Sequence, residues 1–369
     1  MAWSYRKRVK IIPGVHLNFS KKGISTSIGA KGLSINFSSN GTTVSTNILG
    51  ISNRQKFENS NPTPESSSNY PDYYTQNNLY DNIFSADIHE ITSQNMQGIK
   101  EAILLAHHQK KELAADLIKI RKALSITKTK KILSYLFLYG FISKNIKKNA
   151  NRDIKIQLDA INQTENMIEK CCVNLDINFD PEIQRKFETV YESFKHLMAS
   201  HKIWDITSAH FQDRIVARSS ASTVVNRREI RFALKSLPYI QSEYQAMYLK
   251  NANGADIYIY PAFIIMYTNE TNFAIIGIDE LNLHHTYTYF RETSIVPRDS
   301  KIIDHTWAKV NKNGTRDKRF SNNYKIPVVK YGNINFTTKT GMHEEYEFSN
   351  YESAEEFSRA FSNFQREFI

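Results

Sequence analysis

Cysteine is scarce in this chain, which has only two among its 369 residues, and the two are adjacent at Cys171 and Cys172. Neighbouring cysteines rarely form a disulfide because their Cβ vectors diverge. The pair also lacks the spacing of a zinc site. We therefore exclude a disulfide-stapled secreted scaffold and expect a reducing, cytoplasmic environment.

Long apolar runs are also missing. The longest, at residues 132–142, is about half the roughly 20 residues that a membrane-spanning helix needs. The basic start, MAWSYRKR, is followed by Pro13 and Gly14 instead of the apolar stretch of a signal peptide. The sequence therefore predicts neither export nor a membrane span, while peripheral attachment at the inner membrane face stays open.

Recognisable catalytic motifs are absent from the sequence. It contains no P-loop, no dinucleotide-binding GxGxxG, no GxSxG elbow and no HExxH pair. Two His-His pairs begin at His107 and His284, but adjacent side chains diverge on a helix and lie on opposite faces of a strand. We therefore expect no metal site, no cofactor and no enzymatic activity.

Positive charge, by contrast, is in excess, with a formal net charge of +11 and a pI near 9.3. This excess favours an anionic partner, which could be nucleic acid, an acidic lipid surface or an acidic protein. A chain of 369 residues is also too long for one ordinary core, so we expect two to three domains at roughly 100–200 residues each.

A glycine repeat organises the start of the chain, where glycines recur every nine residues from Gly14 to Gly50. Between them apolar and polar side chains alternate, as at Val15, Leu17 and Phe19, which is the period of a strand with one apolar face. The repeat predicts a β-meander domain over residues 1–52, and a small parallel solenoid is the alternative.

The same stretch resembles a known family. It has an aromatic-basic start, then the pattern PGV-LN-SKKG-S-S-G and a GT turn, within about the first fifty residues. In these features it is similar to the bacterial family called domain of unknown function 4236, although LGISNRQK replaces that family's usual GTGLSY ending. The resemblance implies no reaction, cofactor or catalytic residue.

The middle of the chain changes composition twice. Residues 53–82 are rich in Asn, Ser, Pro and Tyr, which predicts a disordered linker. Apolar residues at helical spacing then predict helices over 88–124, 153–171 and 181–200. The first two are expected to form an antiparallel hairpin within a helical region at 83–205.

The apolar run at residues 132–142 lies between two groups of lysines. An aromatic-aliphatic stretch with flanking lysines is typical of a helix that lies in an anionic membrane interface. A buried hairpin tip with solvated lysines on both sides is the alternative. The interface candidates are Lys130, Lys131, Tyr135, Phe137, Tyr139, Phe141, Lys147 and Lys148.

The C-terminal part, residues 206–369, changes to strand patterns and ends in a helix predicted over 352–368. This order looks pleckstrin-homology-like, that is, a β-barrel or sandwich capped by one helix. The whole chain is therefore predicted to be a multi-domain α+β protein. Strands are predicted at 231–237, 246–250, 256–267, 273–278, 306–310, 325–331, 334–338 and 345–348.

Two basic clusters are candidate anion-binding sites, one in a loop and one beside a serine-rich segment. Structural roles are the alternative, because the loop residues could serve turn geometry and the arginines could pair with Asp205, Asp213 and Glu229. The candidates are Arg316, Lys318 and Arg319 in the loop, and Arg214, Arg218, Arg227 and Arg228 beside the serines.

These patterns favour a non-enzymatic adaptor or sensor in which each of the two β domains binds a partner. The hairpin is expected to set the distance between the two domains. A protein partner is expected, an anionic membrane surface or nucleic acid stays open, and the oligomeric state is not predicted. The alternative is a nucleic-acid-processing or hydrolytic effector with a site around Asp304, Asp317 and Arg319. Uncharacterised β-modules on helical spacers also suggest a bacterial stress or antiviral defence system, by analogy of fold.

Overall fold

The structure, a computed structural model, contains four α-helices and three β-sheets in the part of the chain that it describes. The predicted α+β class is confirmed, as are the N-terminal meander, the helical middle and the terminal helix. The described residues are 3–4, 14–20, 23–30, 33–38, 41–48, 51–57, 81–82, 85, 91–93, 96–136, 144–211, 223–311 and 313–368.

The glycine repeat folds into an antiparallel meander in which each strand begins at a repeat glycine or directly after it. The strands are β1 (Gly14–Ser20), β2 (Gly23–Ala30), β3 (Leu33–Ser38), β4 (Gly41–Ile48) and β5 (Ile51–Phe57). β1 pairs antiparallel with β2, so that Gly14 lies opposite Gly29, and the parallel solenoid is wrong. Val15 and Leu17 are buried, as the alternation predicts.

A strand from later in the chain, β7 (Val173–Phe179), joins the sheet of the meander. β7 runs parallel to β1, with Val15 opposite Leu175, and its other edge pairs with β11 (Ile240–Ser242). One sheet therefore includes residues from three of the predicted domains. The predicted domain boundaries at residues 52, 82 and 205 concern whether each segment folds independently, and they stay predictions.

Two long helices form the predicted hairpin, α1 (Gln97–Leu136) and α2 (Lys144–Glu169). α1 continues beyond the predicted end at 124 because residues 125–136 contain no glycine or proline that would stop it. α2 likewise begins before the predicted 153. The core between the helices contains Ile120, Leu124, Ala160 and Ile161.

The second sheet is a five-stranded meander that follows α3 (Pro181–Met198) in the chain. The segment predicted as one strand at 256–267 is two strands, because Pro261 falls between them and has no N–H to donate to a ladder. The strands are β10 (Phe232–Leu234), β12 (Met247–Leu249), β13 (Asp256–Ile259), β14 (Phe263–Asn269) and β15 (Asn272–Gly277).

The third sheet curls into a half-barrel. Its strands are β6 (Asp81–Asn82), β8 (Ile203–Phe211), β9 (Thr223–Ile230), β16 (Asn282–Arg291), β17 (Lys301–Trp307), β18 (Lys325–Thr337) and β19 (His343–Phe348). Their order is β16-β18-β19-β8-β6, with β17 paired to β18 and β9 to β8. The segments predicted at 325–331 and 334–338 are one strand, because Gly332 and Asn333 stay paired with β16 and β19.

The terminal helix α4 (Tyr351–Gln365) packs on α3 and on strands β16 and β18. A Cβ atom built on Gly332 would lie 2.6 Å from the Cβ of Ala354, so the glycine allows the helix to approach the sheet closely. The ring centroid of Phe364 lies 6.4 Å from that of Phe19 in β1. The main core thus joins the terminal helix to the N-terminal meander.

Candidate functional site

Arg227, one of the predicted anion-binding arginines, lies inside the half-barrel. Its guanidinium donates to Glu292 at 2.5 Å and to Glu347 at 2.7 Å. The same group lies 4.1 Å from the ring centroid of Trp204 and 4.0 Å from that of Phe290. Because Arg227 is on β9 and Phe290 is on β16, these contacts tie the two sides of the curled sheet together. They agree with the structural alternative for this arginine.

Two carboxylates share this one guanidinium, and their pKa values differ. Burial raises the pKa of Glu347 to about 7, although Arg227 opposes the shift. Burial acts on Glu292 as well, but the hydrogen bonds from Arg227, the Ser294 backbone and Tyr331, together with the positive charge of Arg227, outweigh it and lower the pKa of that carboxyl. Tyr331 also donates to Glu292, at 2.9 Å. The guanidinium is therefore held inside the half-barrel by two carboxylates and by the aromatic rings on which it packs.

The other arginines of this cluster are placed differently. Arg228 is exposed, and its Nη1 donates to the backbone oxygen of Ala252 at 3.2 Å. Successive strand residues point to opposite faces, so Arg227 and Arg228 do not converge on one ligand. Arg214 and Arg218 lie outside the described residues.

The loop between β17 and β18 is a compact turn held by its own side chains. Gly314 has a φ of +82°, in the left-handed region that favours glycine. Arg319 donates twice to Asp317, from Nε at 2.9 Å and from Nη2 at 2.7 Å. The amide of Asn311 donates to Thr315 Oγ1 at 3.0 Å. For Asp317 and Arg319, these contacts agree with the structural alternative.

The remaining predicted loop residues, Arg316 and Lys318, are exposed. The guanidinium of Arg316 stacks on Trp307, 4.6 Å from the ring centroid, and Lys325 lies 5.8 Å from the same centroid. The structure therefore brings the three predicted basic residues of the loop to one surface. A shallow depression of about 390 Å³ there is lined by Asn311, Thr315, Arg316, Asp317, Lys318 and Arg319.

The alternative effector site depends on the acidic residues near this loop. Asp317 is 1% exposed and is bound by Arg319, while Asp304 is exposed on β17. Among the residues that the structure describes, no three His, Cys, Asp or Glu side chains are grouped so that they could hold a metal ion. The effector hypothesis gains no support from these contacts and stays a prediction.

The lysine-flanked run lies at the far end of the helical hairpin. Ile132 and Leu133, near the end of α1, are 67% and 43% exposed, so the buried-tip alternative is wrong for these two. Lys130 and Lys148 are also exposed, and Lys131 is half-buried. No helix in the described ranges is both long and apolar enough to cross a bilayer. Tyr135 lies within α1 and Lys147 within α2, and Phe137, Tyr139 and Phe141 lie outside the described residues.

Charge along the hairpin is distributed very unevenly. Residues 117–152, which we call the distal hairpin, contain ten Lys and Arg and no Asp or Glu. The rest of the chain then has 38 basic and 37 acidic residues, so almost all of the net charge of +11 lies in the distal hairpin. A running sum of charge along the sequence would have shown this segment.

Two buried acids join the half-barrel to its neighbours, and the sequence singles out only Asp205, as a partner for the arginines. Asp205 on β8 accepts from the backbone N–H of Ala252 at 2.7 Å, and Glu344 on β19 accepts from the hydroxyl of Ser85 at 2.6 Å. Both acids are 1% exposed. Burial raises the pKa of Glu344 to about 7, and the negative charge of Asp205 adds to the shift.

Comparison with known proteins finds a match only at the start of the chain. Residues 3–54 match the family model described as a protein of unknown function (DUF4236), which confirms the resemblance seen in the first fifty residues. The match ends before the hairpin, so the pleckstrin-homology-like character of the C-terminal part stays a prediction. No curated protein and no solved structure matches the chain. Over residues 3–54 the chain is therefore similar to a family of unknown function.

Proposed function

We propose that this protein is a non-enzymatic adaptor that attaches to an anionic membrane surface through its distal hairpin. The observation that supports the proposal is the concentration of ten basic residues, with no acidic residue, in residues 117–152. An anionic surface attracts Lys and Arg within about a Debye length, so attraction would act at this end of the molecule first. Peripheral attachment at the inner membrane face is part of the proposal.

The hairpin extends well beyond the strands. Lys110 of α1 lies near the body, with its ammonium 5.4 Å from the ring centroid of Tyr239. From Lys110 to Leu136 a helix rises about 40 Å at 1.5 Å per residue. In this part the buried residues of α1, such as Ile120, face α2. The direct pairing of β1 with β7 already joins the N-terminal meander to the rest of the fold. The hairpin therefore resembles a projecting arm more than the predicted spacer between two β domains.

Exposed aliphatic side chains at the tip favour lipid over nucleic acid. Ile132 is 67% exposed and Leu133 43%, and Lys128 and Lys130 beside them are exposed as well. Phosphates of a nucleic acid would use the lysines alone. A membrane interface also accepts apolar side chains, each of which gains about 25 cal/mol per Å² removed from water.

Vesicle binding tests the proposal. Each lysine near an anionic surface contributes about 1 kcal/mol, so changing Lys128, Lys130 and Lys131 together to Gln should lower partitioning by about two orders of magnitude. Co-sedimentation with phosphatidylserine-containing vesicles measures this, and phosphatidylcholine vesicles give the uncharged reference.

A matched control changes three lysines of the body, Lys195, Lys235 and Lys250, to Gln and should leave partitioning almost unchanged. Changing Ile132 and Leu133 to Ser should weaken binding even at high salt, where the charge contribution is screened. Failure of the wild type to bind anionic vesicles, or equal binding by the tip variant, would reject membrane attachment.

A further inference from the structure

Five acidic side chains are buried in the described part of the chain, and three of them, such as Glu347 and Asp317, are paired with an arginine. The other two, Asp205 and Glu344, make no salt bridge to a described basic residue. The charge of Arg228 lowers the pKa of Asp205, but this exposed guanidinium donates to a backbone oxygen instead. Buried charges are normally paired or bound to a metal ion.

The two unpaired acids and a tyrosine lie on one face of the half-barrel. Tyr346 on β19 lies directly opposite Asp205 on β8. Glu344 precedes Tyr346 by two residues on the same strand, so its side chain points to the same face. Burial raises the pKa of the Tyr346 hydroxyl, and the charges of Glu344 and Asp205 add to the shift. The three groups are therefore close enough to interact.

Each of these three groups has a buried oxygen without a hydrogen-bond partner among the described residues. Oδ2 of Asp205 accepts from the N–H of Ala252, whereas Oδ1 has no partner. Oε1 of Glu344 accepts from Ser85, whereas Oε2 has no partner. The hydroxyl of Tyr346 is fully buried and has no partner either. Buried polar atoms are seldom left unsatisfied, so these oxygens indicate a ligand.

We infer that Asp205, Glu344 and Tyr346 form a calcium site where the half-barrel meets the second sheet. The two carboxylates carry two negative charges, which one divalent cation balances. All three groups offer oxygen, the ligand atom of Ca²⁺ and Mg²⁺. Mg²⁺ usually keeps several waters, but each free oxygen here has less than 1 Å² of accessible surface, so Ca²⁺ fits better. The inference is independent of membrane attachment by the hairpin.

Neighbouring groups complete the proposed site. Ca²⁺ takes about six to eight oxygens. Two carboxylates that each bind through both oxygens, together with the hydroxyls of Tyr346 and Ser85, would supply six. The amide nitrogen of Asn251, which is also buried without a partner, can donate to one carboxylate and orient it. The ion would thereby join Ser85 and the turn at Asn251 to strands β8 and β19.

Thermal unfolding of the full chain tests the inference. The protein is first treated with EDTA at about pH 8 and then melted with CaCl₂, with MgCl₂ or with NaCl at the same ionic strength. A ligand that binds only the folded state raises its stability, so Ca²⁺ at about a hundred times its dissociation constant should raise the melting temperature by roughly 5 °C. Mg²⁺ should act more weakly, and NaCl should not act. Isothermal titration should count one calcium site per chain.

Single substitutions separate this site from calcium binding at surface acids. Glu344→Gln keeps the shape of the side chain and should weaken calcium binding roughly a hundredfold, while Tyr346→Phe removes only a hydroxyl and should weaken it roughly tenfold. Glu345→Gln is the matched control, because the same change on the opposite face of β19 should leave binding unchanged.

Three results would overturn the inference. One is the failure of Ca²⁺ to bind or to raise the melting temperature of the wild type. A second is an equal calcium response in Glu344→Gln and the wild type, because binding would then be elsewhere. The third is tighter binding of Mg²⁺ than of Ca²⁺. With no cation bound, a proton held between Asp205 and Glu344 would account for the buried pair.

Discussion

Removal of the guanidinium of Arg227 should destabilise the half-barrel strongly. The Arg227 side chain is 15% exposed, and Arg227→Ala would leave two carboxylates, only 2% and 3% exposed, without their cation. Breaking a buried pair in this way typically costs about 3–5 kcal/mol. A domain is commonly stable by about 5–15 kcal/mol, so the variant should lose roughly a fifth of its stability or more.

Urea unfolding followed by tryptophan fluorescence measures the loss, because Trp204 packs directly on the guanidinium. The cost should depend on pH. The pKa of Glu347 is already raised to about 7 beside Arg227 and should rise further without it, so the orphaned carboxyl can take up a proton in mild acid. Arg227→Ala is therefore expected to cost less at about pH 5 than at about pH 8.

The neighbouring Arg228 provides the matched control. It is exposed, so Arg228→Ala should change the free energy of unfolding by only about 0.5 kcal/mol. Adding Glu347→Gln to Arg227→Ala should restore part of the lost stability by removing one uncompensated charge. A loss below about 1 kcal/mol for Arg227→Ala, or an equal loss at both pH values, would refute the reasoning, because the carboxylates would then be finding water or other donors.

Three further outcomes are expected. Glu344 keeps its proton in the folded state up to about pH 7 but releases it near pH 4.5 when the chain is unfolded. The free energy of unfolding should therefore fall as the pH rises through this window. In thermal unfolding, Glu344→Gln should flatten that fall. Phe361→Ala should cost about 3–5 kcal/mol in urea unfolding, and limited proteolysis should then cut the N-terminal meander too, because Phe19 packs against the same helix. Gly332→Val should lower the melting temperature through a clash with Ala354, at a cost of about 1–3 kcal/mol, and Gly332→Ala should do so less.

Elements formed by neighbours in sequence could be predicted from the sequence. The nine-residue glycine spacing marked the starts of the meander strands, and phenylalanines at 357, 361 and 364 marked the buried face of α4. Both depend on local periodicity alone. The split at Pro261 had a local signal as well, which the strand assignment at 256–267 did not use.

Contacts between distant segments could not be predicted in the same way. The two acids that hold Arg227 lie 65 and 120 residues further along the chain, so its pairing could not be told from its surroundings in sequence. β16, with the sequence NLHHTYTYFR, has polar and aromatic residues on both faces and therefore lacks the apolar alternation of a typical strand. The lysines near the hairpin tip could be read from the sequence, but the exposure of Ile132 could be seen only in the structure.

The parallel pairing of β1 with β7 bears on how this family segment can be inherited. Residues 3–54 form the unit that recurs between proteins, yet one edge of its sheet is completed by a strand about 120 residues beyond it. A fragment cut at that boundary would expose the backbone edge of β1 and the apolar residues Val15, Leu17 and Phe19. In this chain the segment that matches the family model is therefore smaller than the unit that folds.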